Sequence, residues 1–298
     1  MNHSVTLFLV PSVIWGSTWL AITFQLGVVD PDVSVAYRFA LAAALLFLWC
    51  RLRGQRLAFP ARIHAWMAAQ GATLFGLNYV AVYYAESRVA SGLVAVAFST
   101  LVFMVPIGAR LVFRTPLLPR VALGALLGVA GVTSLFLPEL RAAAAGGTAA
   151  LGLVYALGAT AIATVGNLVT VRVQREKVPV SSGTAWGMSY GALTAASMAW
   201  AGGSEWRFDW SAAYLASLAY LAIFGSIVAF GAYFRLIERV GAGRASFTAV
   251  AIPLVAMLLS TLFEDYRWTI AAAIGAILAV AGNVLALTAT NTARQRIK

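Results

Sequence analysis

The chain has 298 residues, of which 61% are hydrophobic and only 10% are charged. A soluble domain carries about 25% charged residues on its hydrated surface, so this composition excludes an ordinary soluble enzyme or binding domain. The net charge of +11 would indicate a nucleic-acid partner only if the basic residues formed one patch, and here they are dispersed between apolar runs. The composition therefore predicts an all-α integral membrane protein.

Ten apolar runs follow one another along the chain. A membrane-spanning helix needs about 20 apolar residues, which is close to the length of each run. The predicted spans are 5–27, 33–50, 65–86, 89–109, 120–138, 149–171, 183–202, 211–233, 245–263 and 268–289. Gly146 and Gly147 divide the chain into residues 1–145 and 146–298, two units of five spans that form one membrane domain.

The basic residues predict the orientation of these spans. Sixteen of the 21 Lys and Arg residues lie on the N-terminal side of the membrane, and eight of the ten acidic residues lie on the other side. Because positively charged loops stay in the cytoplasm, we expect a multi-pass membrane protein with both termini cytoplasmic.

The two halves show an internal repeat at an offset of 151 residues. Arg88-Val89 and Gly92 align with Arg239-Val240 and Gly243, and Gly124 and Gly131 align with Gly275 and Gly282. Five spans per unit is an odd number, so the second unit inserts upside down, as in many secondary transporters. The small-xxx-small spacing of these glycines predicts that spans five and ten pack against each other.

Enzymatic chemistry finds little support in the sequence. The two lysines, Lys177 and Lys298, do not belong to a phosphate-binding loop, so ATP hydrolysis is excluded. The G-x-S-x-G pattern at 187–191 lies in an apolar helix rather than after a strand. We expect no catalytic residue, no metal and no cofactor.

Aromatic and small polar residues at mid-membrane depth are the candidate substrate contacts. They are Trp15, Ser17, Asn78, Tyr79, Tyr83, Ser99 and Thr100. Trp15 either lines a cavity or fills a helix interface. Asn78 should face protein or water, because an amide is costly to expose to lipid.

Three further groups are candidates for movement or charge recognition. Phe230 and Phe234 repeat the spacing of Tyr79 and Tyr83 one unit later, so the two strips are either paired gates or aromatic packing. Pro253 removes a backbone hydrogen bond inside span nine and is a candidate hinge. Arg38 either extends to the interface or faces the interior and attracts a substrate carboxylate.

These motifs resemble the drug/metabolite transporter superfamily, specifically its ten-span EamA-type exporters. The matching pieces are residues 15–19 (WGSTW), residues 38–42 (RFALA), Pro253 and residues 263–264, followed by the glycine-containing last span. The resemblance covers the whole chain and is nearest to the YddG-type amino-acid exporters. Val102 stands in the first unit where the second has Pro253, which departs from a symmetric motif.

The sequence thus predicts a secondary transporter that works by alternating access around a central cavity. The resemblance implies outward transport of small amphipathic metabolites, namely amino acids including aromatic ones, across the bacterial inner membrane. The expected partners of the protein are a small-molecule substrate and the lipid bilayer, without nucleic acid or ATP. The protein can function as a monomer in this interpretation. A nucleotide-sugar or sugar-phosphate carrier would need basic cavity residues, and a membrane-embedded lipid enzyme would need clustered ionisable residues.

Overall fold

The computed structural model describes residues 3–89, 91–135, 137, 141, 148–263 and 270–288. The predicted division at Gly146 and Gly147 lies outside these residues, as does Glu264 of the family motif. The described chain consists of helices joined by short connections, without a strand. The regular α-helices are α1 (His3–Thr23), α2 (Pro31–Leu52), α5 (Pro119–Leu135), α6 (Thr148–Arg175), α7 (Val180–Gly202), α9 (Thr248–Phe263) and α10 (Ile270–Thr288).

Three helical rods are interrupted. Rod α3 runs through Ala61–Gln70, a π-helical segment Gly71–Leu77, and Asn78–Glu86. Rod α4 consists of Ser91–Ser99 and Leu101–Phe113. Rod α8 runs through Ala212–Tyr220, a second π-helical segment Leu221–Val228, and Ala229–Val240, and a short turn Ala242–Ala245 leads into α9.

Four of the described helices are long and apolar enough to cross a membrane. They are Ser4–Thr23, Pro31–Leu52, Ala150–Arg175 and Ala212–Val240, and shorter apolar helices accompany them at Ala97–Phe113, Pro119–Ser134, Ala242–Val255 and Ala273–Ala286. The chain is therefore a multi-pass helical membrane protein.

Rod α8 extends seven residues beyond the predicted end at 233. Arg235 and Glu238 suggested a loop there, but Leu236 and Ile237 are buried. The last turns are amphipathic, so their charged face leaves the bundle while their apolar face still packs.

The antiparallel helices α2 and α7 define two chemically different ends of the bundle. At the end that we call the acidic end, Asp32 accepts a hydrogen bond from Ser204 at 2.9 Å, and Asp30 accepts one from the Glu205 amide at 2.9 Å. At the opposite, basic end, Arg62 forms an ion pair with Glu176 at 2.7 Å. The structure thus brings the connection before α2 and the connection after α7 together at the acidic end.

Helices α5 and α10 pack closely through glycines, which confirms the contact predicted from their small-residue spacing. A Cβ on Gly124 would lie 2.6 Å from the Gly282 carbonyl oxygen, and a Cβ on Gly131 would lie 2.5 Å from the Gly275 oxygen. Both distances are below van der Waals contact, so only glycine allows this approach of the two backbones.

The remaining helices surround one central core. Helix α1 packs against α8 and α9, whereas α6 packs against α3 and α4. Each half therefore contributes its first helix to the other half. The largest buried apolar cluster lies between them and contains Phe39, Phe75, Tyr83, Phe230 and Phe234.

Candidate functional site

A cavity of about 80 Å³ lies at the centre of the bundle, between α1, α3, α4, α6, α8 and α9. Its lining residues are mainly apolar and aromatic. They are Trp15, Thr18, Trp19, Ile22, Leu74, Asn78, Tyr79, Val82, Phe98, Leu101, Ala163, Asn167, Phe230, Tyr233, Ser246, Thr248, Ala249 and Ile252. Both halves contribute to the wall, so a movement of one half against the other would change the shape of the cavity.

Trp15 forms a fixed part of this wall. Its indole nitrogen donates a hydrogen bond to the Gly225 carbonyl oxygen at 3.0 Å. Its ring packs edge-on against Phe230 and Tyr233, with centroid distances of 4.9 and 5.2 Å. The side chain therefore lines the cavity and also joins α1 to α8.

Most polar side chains of the lining already use their hydrogen-bonding groups within the protein. The Tyr233 hydroxyl donates to Asn167 Oδ1 at 2.6 Å, and Thr18 donates to the Trp15 carbonyl oxygen at 2.9 Å. Ser246 and Thr248 donate to backbone oxygens of their own turns. These groups contribute little free capacity to bind a ligand.

Two lining residues have unused hydrogen-bonding capacity. Asn78 donates to the Leu74 carbonyl oxygen at 3.1 Å, but its buried Oδ1 has no donor among the described residues. The buried Trp19 Nε1 likewise has no acceptor in the described part of the chain. In the described lining, Asn78 Oδ1 is thus a buried acceptor and Trp19 Nε1 a buried donor without a partner. The sequence analysis missed Trp19, although its i, i+4 spacing from Trp15 places both on one face of α1.

Phe230 and Phe234 lie where the cavity ends toward the basic end of the bundle. Both are buried, and their ring centroids lie 5.5 Å apart. Phe75 packs against Phe230 at 4.8 Å and against Phe234 at 6.2 Å. Phe230 lines the cavity, whereas Phe234 lies one turn further along α8 and lines a second, smaller space beside Gln70 and Thr170.

The two tyrosines of α3 differ in their surroundings. Tyr79 is half-buried, lines the cavity and packs against Phe39 with a centroid distance of 5.0 Å. Tyr83 is fully buried outside the cavity lining, and its hydroxyl has no hydrogen-bond partner within the described ranges. The structure therefore does not bring both tyrosines to the cavity.

Three small polar candidates lie outside the lining. Ser17 shares a hydrogen bond of 2.6 Å with the Tyr220 hydroxyl on α8, and the neighbouring Thr18 lines the cavity instead. Ser99 is buried, and Thr100 donates to the Ala97 carbonyl oxygen at 2.6 Å at the interruption of α4. Their neighbours Phe98 and Leu101 form that part of the wall.

Pro253 and Arg38 are both buried near the cavity without lining it. Pro253 follows the lining residue Ile252 on α9. Helices α1 and α9 are in close contact at this level, because a Cβ on Gly16 of α1 would lie 2.7 Å from Val255 Cβ. Arg38 has no exposed surface, so the interpretation that its side chain extends to the interface is wrong. Its guanidinium instead lies 4.6 Å from the centroid of the Tyr79 ring.

The chain is similar in sequence and in fold to known proteins. The sequence profile of the EamA-like transporter family matches residues 3–137 and 150–288. Protein PagO of Salmonella typhimurium (strain LT2) is 23% identical over 290 residues, which cover 97% of this chain and 92% of PagO. One solved crystal structure aligns with a TM-score of 0.75 at 20% identity, covering 99% of each chain. At this identity, the likeness to the solved structure shows a shared fold.

Proposed function

The chain belongs to the EamA-like transporter family, and we propose that it is a secondary carrier that exports small amphipathic metabolites. The substrate class that we infer is amino acids, including aromatic ones, moved by alternating access. The observation that carries this proposal is the central cavity, which is walled by aromatic residues and bordered by both halves of the chain.

The unused groups of the cavity suit a zwitterion. The Trp19 indole N–H can donate to a carboxylate, and Asn78 Oδ1 can accept from an ammonium group. Neutral groups of this kind can contact a zwitterion while the described cavity lining itself carries no fixed charge. The surrounding aromatic rings would accept an apolar side chain.

Alternating access would follow from ten spans arranged as two inverted repeats, residues 1–145 and 146–298. Three observations support this arrangement. The family profile matches the chain twice, each half contributes its first helix to the other half, and the π-helical segments begin 150 residues apart, at Gly71 and Leu221. In addition, an approximate two-fold axis would map the Gly124–Gly282 contact onto the Gly275–Gly131 contact, and both contacts are present.

The proposed location is the bacterial inner membrane, with both termini and the basic end in the cytoplasm. A cysteine in place of Ser204 at the acidic end should then react with a membrane-impermeant thiol reagent added to intact cells. A cysteine in place of the exposed Arg56 should react only after permeabilisation. The reverse pattern would contradict the proposed orientation. Buried Cys50 is replaced by alanine in both variants to remove background labelling.

A nucleotide-sugar or sugar-phosphate carrier is the second candidate within transport. Such cargo needs cationic side chains in the cavity for its phosphates. The described lining contains no Lys or Arg, which favours a cargo without phosphate. A membrane-embedded lipid enzyme is disfavoured by membership of a transporter family.

Reconstitution into liposomes tests the proposed function. Purified protein is incubated with a panel of radiolabelled amino acids, with and without a pH gradient, and accumulation is compared with empty liposomes. We expect uptake of neutral and aromatic amino acids, and we expect weak uptake of a sugar phosphate tested alongside. Transport of the sugar phosphate alone would contradict the proposed cargo class. A matched Asn78→Asp variant places a fixed charge in the cavity and should change the cargo preference.

A further inference from the structure

Arg38 on α2 is a buried cation with unused hydrogen-bond donors. Its Nε donates to Ser226 Oγ on α8 at 3.1 Å. Its Nη1 and Nη2 atoms have no acceptor in the described part of the chain. A guanidinium buried without a paired anion is unfavourable, and inside a membrane protein such a group usually serves a function.

The surroundings of Arg38 leave its donors close to the cavity. The absence of a side chain at Gly225 leaves room for the guanidinium, because a Cβ at that position would lie only 3.2 Å from Arg38 Nη2. Tyr79 covers the guanidinium at 4.6 Å and also lines the cavity. A rotation of the Tyr79 side chain would therefore open a path from the cavity to the guanidinium.

Glu86 is the acidic residue of rod α3, which also carries Tyr79 and Tyr83. Both Glu86 oxygens are buried and lack a donor among the described residues. Among those residues, neither Glu86 nor another carboxylate forms an ion pair with Arg38 within 4.0 Å. The described part of the chain thus supplies no carboxylate in contact with the Arg38 guanidinium.

We propose that Arg38 is a carboxylate-binding subsite behind Tyr79, and that a ligand carboxylate becomes its counter-ion. The planar guanidinium can donate two parallel hydrogen bonds from Nη1 and Nη2 to one carboxylate. This inference rests on the proposed function in that the cargo carries a carboxylate.

The subsite fits a single negative charge better than a phosphate. One guanidinium faces it, and the adjacent groups are the Tyr79 ring and the Ser226 hydroxyl. A second negative charge on the ligand would find no cation among these groups. A monocarboxylate with an apolar body would place its charge at Arg38 and its body in the aromatic cavity.

A pair of isosteric probes tests the subsite without knowledge of the natural cargo. Binding of 3-phenylpropionate and of its neutral amide, 3-phenylpropionamide, is measured by calorimetry on the detergent-purified protein. We expect the acid to bind about tenfold more tightly than the amide, which is the size of one charge-assisted hydrogen bond.

Variants then assign the preference to particular residues. Arg38→Gln should remove the difference between acid and amide, and Arg38→Lys should restore part of it. Arg88→Gln is the matched control, since Arg88 contacts the Tyr84 and Tyr155 rings outside the cavity lining. The unfolding midpoint of each ligand-free variant verifies that it is folded.

The subsite is overturned if the wild-type protein does not distinguish the two probes, if neither binds, or if a folded Arg38→Gln variant keeps the preference. These results are separable from failure of the proposed function. If the protein distinguishes the acid from the amide but does not transport amino acids, the subsite is supported and the proposed cargo class is wrong. If it transports amino acids but the Arg38→Gln variant still prefers the acid, the cargo class is supported and the subsite is wrong.

Discussion

The rods α3 and α8 each contain a π-helical segment followed by an aromatic strip, yet the two strips differ. On α8, Phe230 and Phe234 are both buried, and both pack against Phe75. On α3, only Tyr79 reaches the cavity, whereas Tyr83 is buried outside its lining. The α8 strip therefore packs within the apolar cluster, whereas Tyr79 of the α3 strip covers the buried Arg38 guanidinium.

We expect different roles for the two aromatic strips. Closely packed rings exclude water from the cavity floor toward the basic end. The tyrosines join an apolar ring to a hydroxyl, so they can border both the cavity and a polar cluster. We expect the α8 strip to keep the basic end closed in this conformation and the α3 strip to respond to ligand.

The largest expected effect follows from removing the central ring of the α8 strip. Phe230→Ala deletes contacts with Trp15, Phe75 and Tyr79, and a buried Phe→Ala change costs about 3–5 kcal/mol. Thermal unfolding in detergent should show a large decrease in the midpoint. Phe224→Ala on the same rod is the control, because Phe224 is 47% exposed. Equal loss in both variants would show that the strip is not specially packed.

A smaller effect should distinguish the two π-helical regions. A Cβ at Gly71 on α3 would lie 2.2 Å from the Gly187 carbonyl oxygen, so Gly71→Ala should cost about 1–3 kcal/mol. At Gly225 on α8 the nearest atoms are side-chain atoms of Thr18 and Arg38 at 3.0 and 3.2 Å. Because these side chains can move, Gly225→Ala should be milder.

The control for the glycine pair is Gly231→Ala, since nothing lies within 4 Å of a Cβ at that position. The same unfolding measurement applies to all three variants. A Gly71→Ala protein as stable as the Gly231→Ala protein would mean that α3 and α7 are not packed as tightly as described.

The smallest effect concerns the hydrogen bond that holds Trp15 to α8. Trp15→Phe keeps an aromatic ring but removes the N–H that donates to Gly225, which should cost about 0.5–1.5 kcal/mol. Trp15→Ala should lower transport much more strongly in the liposome assay, because a cavity wall is lost. If Trp15→Ala folds and transports as the wild-type protein does, Trp15 only fills a helix interface.

Some of this architecture could be predicted because it depends on single helices or on strict spacing. Apolar runs predicted the helices, and glycine spacing predicted the contact of α5 with α10. Asn78 and Trp15 stood out as unusual residues at mid-membrane depth, and both line the cavity. These features follow from the cost of polar groups in lipid and from helix geometry.

The rest depends on helix rotation and on contacts between distant parts of the chain. Successive residues point about 100° apart on a helix. The sequence does not fix the rotation of α1 about its axis, so the analysis selected Ser17, whereas the structure places the neighbouring Thr18 in the cavity lining. The burial of Arg38 depends on Gly225 and Ser226, almost 190 residues away in sequence. The sequence analysis also did not predict the two π-helical segments, because it used no sequence pattern that distinguishes them from α-helix.

The most direct test of alternating access uses a cysteine at Thr18, which lines the cavity, in a Cys50→Ala background. Its reactivity toward an impermeant thiol reagent is measured from outside intact cells. Phe230→Ala with Phe234→Ala should favour opening at the basic end and lower this reactivity, whereas Tyr79→Ala with Tyr83→Ala should raise it. Equal reactivity in both double variants, with both folded, would contradict reciprocal closure of the two ends.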